Sequence, residues 1–114
     1  MSPKEIVVYA SGERQDDVEL VNRILHEYHV PHREVSIDCD PAALGRVLLW
    51  TGGRSVPTLV AAESGHDDPF QPPQPIKSWA SPRGVDRGSI ISEPSANQLL
   101  SWLKRQGFIC LAAA

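Results

Sequence analysis

Ser55-Val56-Pro57-Thr58, followed directly by Leu59-Val60-Ala61-Ala62, sets a proline-bearing turn against a short apolar run. Such a run, bounded by a turn, reads as a buried strand from Thr58 to Ala62. Upstream, Asp40 reads as an N-cap and Pro41 as the first helical residue. Ala42, Ala43, Leu44, Val47, Leu48 and Leu49 then supply a short helix, which Gly52-Gly53 stops. Before it, His32 to Ile37 alternates as a strand, with Val35 and Ile37 on one face.

Further out, Lys4 to Tyr9 holds an apolar, β-rich run, Ile6-Val7-Val8-Tyr9, that Ala10-Ser11-Gly12 breaks. From Asp16 to Tyr28, Val18, Val21, Leu25 and Tyr28 recur every three or four residues, and Leu20 and Ile24 widen the stripe. That is an amphipathic helix. Glu13, Asp16 and Asp17 place negative charge at its start, where the helix dipole favours it. Val30-Pro31 is expected to end it, because a residue before proline disfavours the helical region. Toward the C-terminus, Gly88 to Ile91 reads as a short strand. Ser95 and Gln98 form a capping box for a last helix with Leu99, Leu100, Trp102 and Leu103 on its apolar face, and Gly107 closes it.

The expected order is β-α-β-α-β-β-α. A strand–helix–strand start implies a parallel pair, and two late strands imply an antiparallel addition. The fold class is therefore α/β, a four-stranded mixed sheet with helices on both faces. The 114 residues suit one domain, interrupted at about 63–87 by a loop that holds Pro69, Pro72, Pro73, Pro75 and Pro82, half of the ten prolines.

Composition narrows the function. Hydrophobic content of 41% is that of a globular chain, and a net charge of −3 with scattered basic residues points away from nucleic acid and anionic membranes. No apolar run approaches the ~18 residues of a membrane span. Met-Ser-Pro-Lys-Glu lacks the apolar core of a signal peptide, so a cytoplasmic location is expected. Cys39 and Cys110 stand too far apart in sequence to form a metal or redox motif and are expected as free thiols.

This order of landmarks resembles glutaredoxin, of the thioredoxin-like fold superfamily, across nearly the whole chain outside the loop. Four segments carry the resemblance: Ile6-Val7-Val8-Tyr9, Ile37-Asp38-Cys39-Asp40-Pro41-Ala42-Ala43, Ser55-Val56-Pro57-Thr58-Leu59 and Leu99-Leu100-Ser101-Trp102-Leu103. The second is similar to the Ile-Asp-x-Asp-Pro-Glu-Ala stretch of bacterial glutaredoxins, and the third to their Thr-Val-Pro segment. The resemblance implies a cis bond before Pro57, with Val56 offering its N–H and C=O to an extended ligand such as glutathione. Ser55, Val56 and Pro57 are then the expected ligand groove.

The resemblance also shows what is absent. Where the family carries Cys-x-x-Cys, this chain has Arg14-Gln15-Asp16-Asp17, with Arg14 and Asp17 at the two cysteine positions. Thiol–disulfide exchange needs a thiolate, which neither residue supplies. For the lysine that would hold a glutathione carboxylate, Ser11 stands nearby. For the family's Gly-Gly-x-Asp segment, Gly88 to Ser92 stands without the second glycine or the aspartate, leaving Ser92 as a candidate contact. Glu13, Asp16 and Asp17 repel an anionic tripeptide and only Arg14 attracts it, at about 1 kcal/mol each on a surface. Glutathione is therefore expected to bind weakly if at all, and no other cofactor is implied.

Cys39 is the remaining thiol of interest. At the end of a strand parallel to the first, it falls at the pole of the lost site and is a candidate displaced monothiol. The plainer reading is a small residue beside a helix cap. A disulfide to Cys110, which should lie at the opposite pole, is not expected. His26, His29 and His32 are evenly spaced, but Pro31 interrupts the helix that would align them. His66-Asp67-Asp68 lies in a loop, and neither group has a four-ligand pattern, so no metal is expected. The Pro69–Pro75 stretch has the composition of a polyproline II partner site. Its alternative is a loop anchored on its own domain through Phe70, Ile76 and Trp79. Trp50 and Trp102 suit a core better than a dimer contact.

Two functions follow. One is a redox-inactive, glutaredoxin-like binding module that meets a protein partner through the Pro57 groove or the 63–87 loop. The other is a thiol–disulfide oxidoreductase or glutathione-dependent enzyme that uses Cys39.

Overall fold

Ile6, Val8 and Ala10 point to one face of the first strand and Val7 and Tyr9 to the other, and both sets are buried. This strand therefore lies inside the sheet, with cover on both sides. The structure is a computed structural model that describes residues 4–75, 81 and 83–109. Its elements are β1 (Lys4–Ala10), a 3₁₀ turn (Gly12–Arg14), α1 (Gln15–Glu27), β2 (His32–Ser36), α2 (Pro41–Thr51), β3 (Thr58–Glu63), β4 (Ile90–Ser92) and α3 (Ala96–Gln106). Together they make an α/β fold around one mixed sheet in the order β2-β1-β3-β4. β1 runs parallel to β2 and antiparallel to β3, and β4 is antiparallel to β3.

One face carries α1 and α3. Val18, Val21, Ile24 and Leu25 of α1 and Leu99, Trp102 and Leu103 of α3 pack there on Ile6, Val8, Leu59, Ala61 and Ile91. The other face carries α2, whose Ala43 and Val47 pack with Val7, Tyr9, Val60 and Ile90. Trp50 meets Tyr9 edge to face, with ring centroids 5.3 Å apart. Leu48 and Leu49 of this helix are exposed, because an α-helix presents only one side to the sheet.

The helix ends follow local chemistry. Asp40 accepts from the N–H groups of Ala42 and Ala43 at 3.0 and 3.4 Å, and Gly52 closes α2 with a left-handed φ of 77°. Ser95 and Gln98 form the capping box of α3. The end of α1 departs from expectation. The helix stops at Glu27, ahead of Val30-Pro31, and Tyr28 lies beyond it, 40% exposed rather than on the apolar stripe. His29 takes a left-handed φ of 55°, its N–H reaches the His26 carbonyl at 3.1 Å, and the Val30 N–H reaches the Leu25 carbonyl at 2.9 Å. This is a Schellman motif with histidine where glycine is usual, and Leu25 and Val30 complete it by sharing the core. β2 ends at Ser36, one residue short of the expected Ile37, and β4 occupies Ile90–Ser92 rather than Gly88 to Ile91.

The loop between β3 and β4 is tied down at several of its described residues. Phe70 packs against the α1/α3 core, its N–H bonds the Ala61 carbonyl at 2.9 Å, and the Lys4 ammonium sits 3.9 Å above its ring. Ser89 Oγ donates to the Gln71 carbonyl at 2.7 Å, and the Gln74 N–H to the Arg87 carbonyl at 3.0 Å. Ile76, Trp79 and Cys110 lie outside the described residues. Among those described, no helix is long and apolar enough to cross a membrane.

Candidate functional site

The parallel pairing of β1 with β2 sets Ala10 beside Ser36, so the turns that leave the two strands start side by side. Asp38 exploits this. Its carboxylate oxygens lie 3.0 and 3.1 Å from Ser11 Oγ, and one accepts the Gly12 N–H at 3.0 Å. Arg54 approaches from the far side, its Nη2 3.3 Å from Oδ1. Ser11 Oγ in turn accepts the Glu13 N–H at 3.3 Å and caps the 3₁₀ turn. The Gly12 N–H, the Ser11 hydroxyl and the Arg54 guanidinium together hold the Asp38 carboxyl below its usual range.

Asp38 thus fastens the entrance of α1, where the resemblance noted above would put its two cysteine positions. Arg14 ends the 3₁₀ turn and Asp17 lies in the first turn of α1. Cys39 follows Asp38 in the exposed turn before the Asp40 cap, and among the described residues it is a free thiol. The sequence reading missed Ser11, Asp38 and Arg54 as a unit. The available signal was the parallel register, which carries Gly12 and Asp38 to the same level.

The Pro57 turn lies at the same end of the sheet. The Val56–Pro57 bond is cis. Thr58 Oγ1 donates to the Ser55 carbonyl at 2.5 Å and lies 2.8 Å from Ser92 Oγ. The Glu93 N–H donates to the Pro57 carbonyl at 2.7 Å. The carbonyls on either side of Val56 are therefore used internally. Val56 itself is only 3% exposed, yet among the described residues neither its N–H nor its C=O meets a hydrogen-bonding partner. Buried backbone groups are nearly always paired, which sets this pair apart from the rest of the turn. Ser92, expected as a ligand contact, is buried and its hydroxyl is occupied by Thr58. The structure brings Ser55, Val56, Pro57 and Ser92 together and turns the Ser92 hydroxyl inward.

The histidines stay apart in role. His26 sits in the last turn of α1, His29 forms the Schellman turn, and His32 Nδ1 lies 2.8 Å from the Val30 carbonyl. Asp67 and Asp68 face Arg33 and Arg46. Among the described residues no cluster of three His, Cys, Asp or Glu side chains could hold a metal ion. No protein-family model matches the chain, and no curated protein matches it significantly.

Proposed function

We propose that this chain is a redox-inactive binding module on a thioredoxin-like, glutaredoxin-type scaffold, which takes an extended peptide along the Pro57 turn. The observation that carries the reading is the unpartnered N–H and C=O of buried Val56, framed by carbonyls already in use. A ligand strand would pair with Val56 through backbone bonds. Arginine and aspartate at positions 14 and 17 supply no sulfur, and Asp38 spends its charge fastening the adjacent turn. In the described part of the 63–87 loop the Phe70 N–H, the Gln71 carbonyl and the Gln74 N–H are already bonded internally, which favours the Val56 turn over the loop backbone as the contact surface. Glutathione is a weak ligand in this reading, because Glu13, Asp16 and Asp17 oppose its charge.

The second reading, a displaced monothiol, rests on the exposure of Cys39 next to Asp38. A glutathione-dependent disulfide reductase assay on the wild type and Cys39→Ser separates the two. Absence of turnover in both, with glutathione shifting the Val56 amide resonance only at millimolar concentration, is the expected result. Turnover that disappears in Cys39→Ser would replace the binding module with an enzyme.

A further inference from the structure

The two edges of the sheet are treated differently. β4 is covered by the returning loop: the Gly84 N–H bonds the Ser92 carbonyl at 2.7 Å, the Arg87 N–H bonds the Ile90 carbonyl at 3.0 Å, and Arg83 bridges to Ser92. β2 closes the opposite side of the sheet order, and among the described residues no strand or loop pairs with its outer side. The Ile6 N–H bonds the Pro31 carbonyl and the Ile37 N–H bonds the Ala10 carbonyl, both at 2.9 Å. In a parallel ladder this alternation aims Arg33 and Val35 at β1 and turns the N–H and C=O of His32, Glu34 and Ser36 outward.

A groove of about 170 Å³ runs beside that edge, between β2 and α1. It is below the ~300–1,000 Å³ of a small-molecule pocket and suits a single side chain. Its lining includes Val18 on the apolar side and Gln15, Glu19, Asn22, Glu34 and Ser36 among its polar residues. Asn22 Nδ2 donates to Glu34 Oε1 at 2.9 Å. A carboxylate can only accept, so this bond fixes the amide orientation. It leaves Asn22 Oδ1 buried, with no donor among the described residues. The groove therefore offers two carboxylates, those of Glu19 and Glu34.

We infer that the β2 edge is a docking site for an extended segment of a partner protein that carries lysine or arginine at alternate positions. Its backbone pairs with His32, Glu34 and Ser36, and one cationic side chain enters the groove between Glu19 and Glu34. A second copy of β2, paired antiparallel about its centre, would set Glu34 against Glu34, which is unfavourable. The charge of the groove selects a basic partner instead. This site is separate from the Val56 turn and does not depend on it.

The test is an amide-resonance titration of the full chain with a blocked peptide alternating valine and lysine, and with its glutamate counterpart. The lysine peptide should shift His32, Glu34, Ser36 and Asn22, and about 1 M salt should weaken it by shortening the screening length to ~3 Å. Glu34→Lys and Glu19→Lys, both at exposed positions, should each raise its Kd about tenfold, the equivalent of ~1.4 kcal/mol. An unchanged β1 and β3 spectrum would show that the variants fold. Equal binding of the glutamate peptide would overturn the proposal. So would shifts centred on Val56, retention of affinity in both folded variants, or concentration-dependent shifts of β2 without peptide, which would mean self-association.

Discussion

The two faces of the sheet are closed by different physics. On one, α1 and α3 lay an apolar stripe on the strands, and Trp102 and Leu103 are fully buried there. On the other, α2 covers part of the surface and the long loop is fastened beside it by polar groups. Tyr9 donates its hydroxyl to the Asp67 carbonyl at 2.7 Å, and burial pushes that phenol up to about 12. Arg33 reaches Glu5 at 2.8 Å, Asp67 at 2.5 Å and the His66 carbonyl at 2.6 Å. Arg87 donates to the Gln74 carbonyl at 2.8 Å and to the Trp50 carbonyl at the end of α2, where a cation also suits the helix dipole. Apolar burial is non-directional and tolerates small shifts; a carbonyl clamp works only at one geometry. The comparison teaches that a face with one helix can be completed by directional bonds.

The largest effect should come from the apolar face. Trp102→Ala removes the biggest fully buried side chain and its indole N–H, which donates to the Gly88 carbonyl at 2.8 Å beside a second donor, Gln106 Nε2. A loss of about 3–5 kcal/mol is expected, read as a lower urea midpoint with the slope unchanged. An effect under ~1 kcal/mol would mean that α3 contributes little to this face.

Arg87→Ala tests the clamped face. It leaves the Trp50 and Gln74 carbonyls without their donors, at about 2–3 kcal/mol. The loss should be local as well as global: the Gln74 amide, bonded to the Arg87 carbonyl, should exchange faster while α1 and α3 amides keep their order of protection. Arg87→Lys should recover only part of the stability, because an ammonium lacks the planar fork that spans two carbonyls. Full recovery by lysine would show that charge at the end of α2, rather than geometry, holds the loop.

The faces also differ in how far the sequence discloses them. The apolar stripe of α1, the Asp40 cap, the Ser95–Gln98 box and the closing Gly107 are legible because each rests on side-chain type at a fixed spacing. The Arg87 clamp is not, since its acceptors are backbone carbonyls that every residue owns. The end of α1 was hidden for a related reason: His29 holds a left-handed position usually signalled by glycine. In the candidate site, a proline-bearing turn was readable at residues 55–58 and its cis bond was implied only by the family resemblance, whereas the Asp38 junction required the β1–β2 register before Asp38 could be seen facing Ser11 and Gly12.

The smallest effect should be a change in acid response, confined to the clamped face. Arg33 and the Gly65 N–H, 3.2 Å from Oε1, hold the Glu5 carboxyl below its ordinary value of 4.5. A carboxyl lowered on folding stabilises the native state above its unfolded pKa. That contribution fades as pH falls through the lowered folded value. Glu5→Gln should therefore cost about 0.5 kcal/mol at neutral pH, as a partly exposed ion pair would. It should flatten the decline in stability below pH 4.5 without abolishing it. Asp38, lowered by Ser11 and Gly12, still titrates in the variant and keeps a residual acid limb. Asp38→Asn in the same background should remove most of what remains. An acid limb unchanged in Glu5→Gln would show that the Arg33 cluster adds no pH-dependent stability to the clamped face.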